Sequence, residues 1–356
     1  MADEYSTPEA VQKLAEPDQE LVEVLKGLNA PPRDWSPAGL ANMRKERGDA
    51  EQQRAEASAA HGLKEYTQAI KMRDGYESEI RIHKPTTPPS GGSPLVVLIF
   101  GGGFIMGSNM QLSPYAHALT QLYGATVVNL NYRLAPENPF PAAPNDCWDS
   151  IKWLAENASS IGADPSAGFV VGGVSAGGNL SAVIAQQSLD EKLSPPLTGV
   201  WLSIPTVFAG DMKNVPEKHQ HLFLSHKQNA AAPILDKDAM SFMEGSYKAD
   251  PSSPQRSPFN TPNPHKGFPR TYFQVAGLDP LRDDGLIYEK VLKEHGVETK
   301  LDVYPGVPHG HFSFLPMLKK SKQSSFDTIV GIGWLLGKPF PKPEEVMKVL
   351  TPPGGA

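Results

Sequence analysis

The sequence repeats one pattern along most of its length: a short apolar run, a turn of small residues, and a stretch with helical spacing. Runs that are apolar throughout indicate strands buried on both faces, and the stretches between them indicate crossover helices. The runs lie at residues 94–100, 125–133, 168–174, 198–205, 271–277 and 300–306, with helices predicted at 146–158, 175–188, 285–295 and 323–336. The pattern predicts an α/β fold with a mostly parallel central sheet flanked by helices.

Two segments depart from this pattern. Residues 1–75 are charged and alanine-rich, and residues 206–268 form a long connection rich in proline, asparagine and histidine. A connection of that length within a compact domain is usually functional, for example as a lid. We therefore predict a helical cap from segments 1–75 and 206–268, a core of residues 76–205 and 269–340, and a C-terminal tail over 341–356. A disordered insert is the alternative for 206–268, but its scattered aromatic and methionine residues favour packing.

Composition limits the classes of partner and compartment. The formal net charge is −6, so nothing attracts nucleic acid or an anionic membrane. No run approaches the ~18 apolar residues of a membrane-spanning helix, and the first residues lack the apolar core of a signal peptide. The single cysteine, Cys147, allows no intramolecular disulfide. We expect a cytoplasmic protein with no nucleic-acid partner and no stable membrane insertion.

A candidate nucleophile follows the apolar run 168–174. Ser175 lies between Gly173 and Gly177 and is followed by a helix-forming segment. In a sharp strand-to-helix turn such glycines avoid clashes, and the amides at the helix start face negative charge developing at the serine. An ordinary glycine turn fits the same letters, so the interpretation depends on partners elsewhere in the chain.

Candidate partners follow in the chain order acid, then histidine. Asp279 comes directly after one apolar run and His309 directly after the next. Parallel strands place ligands at their carboxyl ends, where both residues are expected. Asp283, Asp284 and His311 are the alternatives. Position favours Asp279, because the other two acids open the next helix, and His311 is interpreted as a wall or loop residue.

A run of three glycines follows the apolar run 94–100. Such a run lets the backbone approach a substrate closely and adopt positive φ, as the amides of an oxyanion hole require. The histidines show no ligand spacing such as H-E-x-x-H, so no metal is expected. His219, His221 and His226 are predicted to be exposed or to pack within the cap.

With these motifs in this order, the chain resembles the hormone-sensitive-lipase-like (family IV) carboxylesterases of the α/β-hydrolase fold. The resemblance covers roughly residues 95–335. It rests on GGGF at 101–104, NYRLAPENPFPAAPND at 131–146, GGVSAGGNL at 172–180, SP at 257–258, GLDPLRDDG at 277–285 and PHGHF at 308–312.

The resemblance implies three catalytic residues and three oxyanion-hole amides. The catalytic residues would be Ser175 as nucleophile, Asp279 as orienting acid and His309 as base. The amides would be those of Gly102, Gly103 and Ala176. Two positions depart from the family pattern: Phe100 replaces the usual histidine before the glycines, and Val174 replaces a polar residue before the nucleophile.

The predicted pocket is lined by Phe104 and Met106 near the glycine run and by Phe223, Phe242 and Met243 of the cap. Packing within the cap is the alternative for the last three. The resemblance implies a cofactor-free serine carboxylesterase acting on small-molecule esters with short to medium acyl chains. A specialised acyltransferase, cyclase or deacetylase on the same triad is the main alternative, and a non-catalytic ligand-binding member is a further one. Family members often pair through edge strands or terminal helices, so a homodimer is one expectation.

Overall fold

The computed structural model describes residues 4–28, 33–59 and 62–350, and it confirms the predicted α/β architecture. Eight strands form one sheet in the order β1-β2-β4-β3-β5-β6-β7-β8. The strands are β1 Leu63–Lys71, β2 Glu77–Pro85, β3 Leu95–Ile99, β4 Thr126–Leu130, β5 Phe169–Val174, β6 Gly199–Ser203, β7 Arg270–Leu278 and β8 Thr299–Pro308.

Twelve α-helices are described, and those between the parallel strands cover both faces of the sheet. They are α1 Pro8–Lys13, α2 Gln19–Lys26, α3 Pro37–Ala57, α4 Ser113–Tyr123, α5 Ala142–Asn157, α6 Ala176–Asp190, α7 Ser225–Gln228, α8 Lys237–Tyr247, α9 Arg282–Glu294, α10 His311–Phe314, α11 Lys319–Leu335 and α12 Pro343–Leu350. Among the described helices, none is long and apolar enough to cross a membrane.

Strands β3 to β8 are parallel, so their carboxyl ends lie along one edge of the sheet. Strands β3, β4, β5 and β6 are buried along their whole length, which explains why their sequences are apolar throughout. The turns that leave β3, β5, β7 and β8 therefore meet at the edge where parallel sheets place ligands.

The start of the core is corrected by the structure. The sequence predicts a helical cap over residues 1–75 and a core from residue 76, but β1 begins at Leu63 and pairs antiparallel with β2. Most side chains of β1 are exposed or half-buried, because it is an edge strand with a single neighbour. Its stability comes largely from hydrogen bonds to β2 and not from an apolar pattern of its own, so the sequence carried little signal.

The N-terminal segment and the 206–268 segment contact each other over the carboxyl ends of the strands. Arg33 forms an ion pair with Asp236 at 2.6 Å, and the Trp35 ring stacks on Phe242 with ring centroids 4.5 Å apart. Both segments also line one cavity above Ser175. We propose that together they form the cap predicted from the sequence. The N-terminal part of this cap ends before β1.

The C-terminal segment contains the helix α12, which the interpretation as a tail did not include. Val346 of α12 is fully buried, so this helix packs onto the fold. The predicted tail 341–356 is described as far as residue 350, and its remainder lies outside the described residues.

Candidate active site

Ser175 occupies the sharp turn between β5 and α6, with φ 56° and ψ −115°. A positive φ is unusual for a residue with a side chain and stores backbone strain. The turn is held on both sides, since the Ser175 amide donates to the Ser203 carbonyl at 2.8 Å and its carbonyl accepts from the Asn179 amide at 2.9 Å. The half-buried hydroxyl faces the cavity at the carboxyl edge of the sheet.

The glycines beside Ser175 are required by close backbone contacts. A Cβ at Gly177 would lie 2.0 Å from the Ile99 carbonyl oxygen, and a Cβ at Gly173 would lie 2.5 Å from that same oxygen. Since neighbouring backbone cannot move aside as a flexible side chain can, alanine at either position would displace the turn. The small residues of this motif therefore have a steric reason beyond flexibility.

The structure brings Ser175, His309 and Asp279 into one hydrogen-bonded chain. His309 follows β8, and its Nε2 lies 2.9 Å from Ser175 Oγ, while its Nδ1 lies 2.7 Å from Asp279 Oδ2. Asp279 is buried, and its other oxygen accepts a hydrogen bond from the Leu281 amide at 2.8 Å. This geometry allows the imidazole to accept the serine proton while the carboxylate stabilises the charged ring.

The alternative acids and the alternative histidine have other partners. Asp283 and Asp284 are fully buried in the first turn of α9, where they accept hydrogen bonds of 2.6 to 2.9 Å from backbone amides of segment 206–268. They therefore anchor that segment to the core. His311 is buried away from the cavity against Ser321, and burial lowers its pKa to about 3, so it is neither a cavity wall nor a solvated loop residue.

Asp284 also binds a histidine that lines the cavity. His226 Nε2 lies 3.1 Å from Asp284 Oδ2. Burial alone would lower the pKa of His226, but the hydrogen bond and charge of Asp284, with the charges of Asp279 and Asp283, raise it above 6.5. Because the folded-state pKa is the higher one, this contribution to stability is complete below pH 6.5 and is lost as the pH rises through the folded-state pKa.

We therefore expect His226→Gln to destabilise the protein more in mild acid than in mild base. The free energy of unfolding in urea, wild type minus variant, should be larger at about pH 5.5 than at about pH 8.5. His221→Gln, which removes an exposed histidine of the same segment, is the control. A difference that is constant or grows with pH would contradict the assignment.

The predicted oxyanion-hole residues lie around the cavity beside Ser175. Gly102 and Gly103 have φ values of 140° and 61°, which a side chain would disfavour. Within the described part of the chain, the amides of Gly102, Gly103 and Ala176 have no hydrogen-bond acceptor. Amides without a partner at the wall of a cavity are available to a negatively charged oxygen.

Phe100, the residue before the glycines, is held by stacking. Its ring lies against Tyr132 with centroids 4.1 Å apart and 9° between the planes, and the Tyr132 hydroxyl donates to the Phe100 carbonyl at 3.2 Å. Burial raises the pKa of Tyr132 well above its usual value, so this hydroxyl stays protonated as a donor. Val174, the residue before the nucleophile, is buried at the cavity wall.

The cavity has a volume of about 730 Å³ and is mostly apolar. Of the predicted lining residues, Phe104, Met106 and Met243 contribute to its wall. The prediction is corrected for Phe223 and Phe242, which pack inside the 206–268 segment and against Trp35, respectively. Sequence analysis missed apolar lining residues from five other places: Trp35, Met43, Ile204, Met240, Leu281, Phe312 and Phe314.

A separate polar cluster lies at the β1–β2 edge of the sheet. Glu65 and His83 face each other across the two strands, and His117 of α4 places its Nε2 2.9 Å from the Glu65 carboxylate. Two imidazoles and a carboxylate could hold a cation such as Zn²⁺. The His117 hydrogen bond and nearby charges hold the pKa of Glu65 at about 2, and Arg81 already pairs with it at 2.6 Å. The cluster lies on strands remote from β5, so we assign it no part in chemistry at Ser175.

Comparisons with known proteins agree with this geometry. The sequence profile of the alpha/beta hydrolase fold matches residues 96–313. An AB hydrolase superfamily protein of Schizosaccharomyces pombe is 40% identical over 267 residues, covering 75% of this chain and 78% of that protein. The versiconal hemiacetal acetate esterase of Dothistroma septosporum is 36% identical over 250 residues, covering 70% and 75%. The crystal structure of vibralactone cyclase superposes with a TM-score of 0.82 at 29% identity, covering 91% of this chain and 96% of the cyclase.

Proposed function

The chain belongs to the alpha/beta hydrolase family, in its hormone-sensitive-lipase-like (family IV) group of ester-hydrolysing enzymes, and on that premise we propose that it is a carboxylesterase for short- to medium-chain esters. The reaction proceeds through an acyl-enzyme intermediate at Ser175. The observation that carries this proposal is the hydrogen-bonded chain from Ser175 through His309 to Asp279 at the wall of an apolar cavity.

In the proposed mechanism, Ser175 Oγ attacks the ester carbonyl while His309 Nε2 accepts its proton. The carbonyl oxygen becomes negative and accepts hydrogen bonds from the amides of Gly102, Gly103 and Ala176. His309 then donates the proton to the leaving alcohol, which departs and leaves the acyl group on Ser175. A water molecule then attacks the acyl carbonyl while His309 accepts its proton, and His309 returns that proton to Ser175 Oγ. This step releases the carboxylic acid and restores the serine.

The size and lining of the cavity support an ester of modest length. About 730 Å³ must accommodate both the acyl and the alcohol part of the substrate, and the cap segments cover it. At Gly103 a Cβ would lie 2.2 Å from the Met243 sulfur, so cap and oxyanion loop are in close contact at this point. Short and medium acyl chains fit such a space better than long ones.

A second candidate function uses the same triad differently. Vibralactone cyclase is similar to this chain over nearly its whole length, and the Dothistroma relative is named an acetate esterase. These likenesses favour a specialised cyclase, acyltransferase or deacetylase as the alternative to a general esterase. A non-catalytic ligand-binding role is less compatible with a complete Ser175–His309–Asp279 chain. We retain two expectations with the proposal: action in the cytoplasm, based on the single cysteine, and pairing into a homodimer.

The test is the rate of hydrolysis of p-nitrophenyl acetate, butyrate, octanoate and palmitate. We expect kcat/KM for butyrate to exceed that for palmitate by at least about tenfold, because an acyl chain longer than the pocket cannot be buried. The same assay with added methanol compares free acid with methyl ester as products. Palmitate as the best substrate would contradict the chain-length proposal, and no turnover of any ester by the folded protein would contradict a general esterase.

A further inference from the structure

Helix α3 of the N-terminal segment binds the backbone of the oxyanion loop, residues 100–107, at two places. The Arg44 guanidinium donates to the carbonyls of Ile105 and Ala135, both at 2.7 Å, and pairs with Glu137 at 2.8 Å. One turn later, Arg47 Nη2 donates to the Gly101 carbonyl at 3.1 Å. These contacts join a segment that precedes the sheet to the loop that carries the proposed oxyanion hole.

The connection between α3 and the oxyanion loop runs through the buried carboxylate of Glu51 and the side-chain amide of Gln111. Glu51 of α3 is 3% exposed. One of its oxygens accepts from Arg47 at 2.9 Å and from Gln111 Nε2 at 3.0 Å, and the other accepts from the Ser108 hydroxyl at 2.7 Å. A buried charge is costly unless it is paired in this way, so the arrangement holds α3 in one position.

Gln111 connects Glu51, and with it α3, to the oxyanion loop. Its Oε1 accepts from the Gly101 amide at 2.9 Å, and its Nε2 donates to the Gly101 carbonyl at 3.0 Å. Both polar groups of Gly101 are therefore bound by a single side chain. A Cβ at Gly101 would lie 2.5 Å from the Val174 carbonyl oxygen, so Gly101 fits closely against the turn that carries Ser175.

The oxyanion loop needs such external support. Gly101, Gly102 and Gly103 have no side chains with which to hold their own conformation, and Phe100 contributes only stacking and a backbone hydrogen bond. Glycine has more backbone freedom than any other residue. An oxyanion hole is effective only when its amides are oriented before the reaction, so an unsupported loop would lose part of that effect.

The same helix also contacts the segment that follows His309. The Arg47 guanidinium carbon lies 5.9 Å from the centre of the Phe314 ring, in α10. Helix α3 is thus near both the oxyanion loop and the short helix that follows His309.

We propose that Glu51 and Gln111 are positioning residues for the oxyanion hole, so that full activity requires α3 to be docked on the core. This inference rests on the proposed esterase function and extends it, because it makes the cap part of the catalytic geometry and not only a cover for the pocket. The two residues act as one unit: Glu51 orients Gln111, and Gln111 orients Gly101.

The experiment compares Gln111→Leu, Glu51→Gln and the double variant with wild type on p-nitrophenyl butyrate. We expect Gln111→Leu to lower kcat by about 10²-fold while KM stays within about threefold, because the lost interaction matters in the transition state. Affinity for a trifluoromethyl ketone, which forms a tetrahedral adduct with the serine, should fall by the same factor as kcat/KM. The double variant should be no slower than Gln111→Leu, since both substitutions release the same loop.

Matched controls lie on the solvent side of the same helix. Gln52 and Glu56 are exposed and bind each other, so Gln52→Leu and Glu56→Gln repeat the two chemical changes without touching the loop. Both should keep the wild-type kcat. Thermal unfolding separates positioning from folding, and Glu51→Gln, which preserves side-chain volume, carries the test if Gln111→Leu does not fold.

Three results would overturn the proposal. They are a kcat within about threefold of wild type in a folded variant, a loss confined to KM, and a fall in kcat without a matching fall in affinity for the trifluoromethyl ketone. Failure of the esterase proposal is a different observation, since wild type itself would then lack turnover that depends on Ser175. In that case the positioning role proposed for Glu51 and Gln111 would be rejected as well.

Discussion

Ser175→Ala is expected to lower the rate of ester hydrolysis by on the order of 10⁵- to 10⁶-fold, to the level that transition-state binding alone provides. The substitution removes the attacking atom, Oγ, which lies 2.9 Å from His309 Nε2. The fold should be preserved, because alanine at φ 56° bears the same backbone strain as serine and keeps the hydrogen bonds of the Ser175 backbone.

The measurement is initial hydrolysis of p-nitrophenyl butyrate, with covalent labelling by a fluorophosphonate as a second readout. Ser188→Ala is the control, because Ser188 lies in α6 and its hydroxyl donates only to the Ala185 carbonyl. It should label and turn over like wild type. Labelling of Ser175→Ala, or a rate above about one hundredth of wild type, would show that another residue is the nucleophile.

Asp279→Asn is expected to lower kcat by about 10⁴-fold, because it would place the proton of neutral His309 on the wrong ring nitrogen. Asp279 Oδ1 accepts from the Leu281 amide, so asparagine would keep its carbonyl oxygen there and turn its NH₂ group towards His309 Nδ1. The ring nitrogen Nδ1 would then accept a hydrogen bond, and Nε2 would carry the proton. A protonated Nε2 cannot take the proton of Ser175.

The test is kcat as a function of pH, together with the melting temperature. Because the carboxylate and the amide have nearly the same shape, the melting temperature should change far less than the rate. Asp283→Asn distinguishes the competing acid, since Asp283 binds the amides of Leu224 and Ser225. That variant should lose stability and retain the wild-type tautomer of His309. A kcat of Asp279→Asn within tenfold of wild type would remove Asp279 from its proposed role.

The residues of the site could be predicted from the sequence where a local pattern marks them. Ser175, Asp279 and His309 each come directly after an apolar strand, and the parallel arrangement alone brings such positions to one edge. The places of these residues at the strand ends therefore already indicated that they would lie close enough to form hydrogen bonds. Phe223 and Phe242 had no such marker, because an aromatic residue in a long connection can face a cavity or a neighbouring helix equally well.

The edge of the sheet and the support of the oxyanion loop were beyond such reasoning. Strand β1 has little apolar alternation, since only one neighbour stabilises it and most of its side chains face solvent. Glu51 and Gln111 are ordinary polar residues in sequence, 60 positions apart. Nothing in the local context marks Glu51 as buried or Gln111 as bound to Gly101.

The sequence alone determined the α/β class, the strand-turn-helix pattern around Ser175 and the order of the acid and the histidine. These depend on periodicity and on backbone freedom at glycine, which act over a few neighbouring residues. The tertiary structure decided which cap residues line the cavity, that β1 joins the sheet, and that α3 supports the loop before Gly102. Those features depend on contacts between distant segments, where the choice among polar or aromatic residues is made by packing and by the cost of burying an unpaired charge.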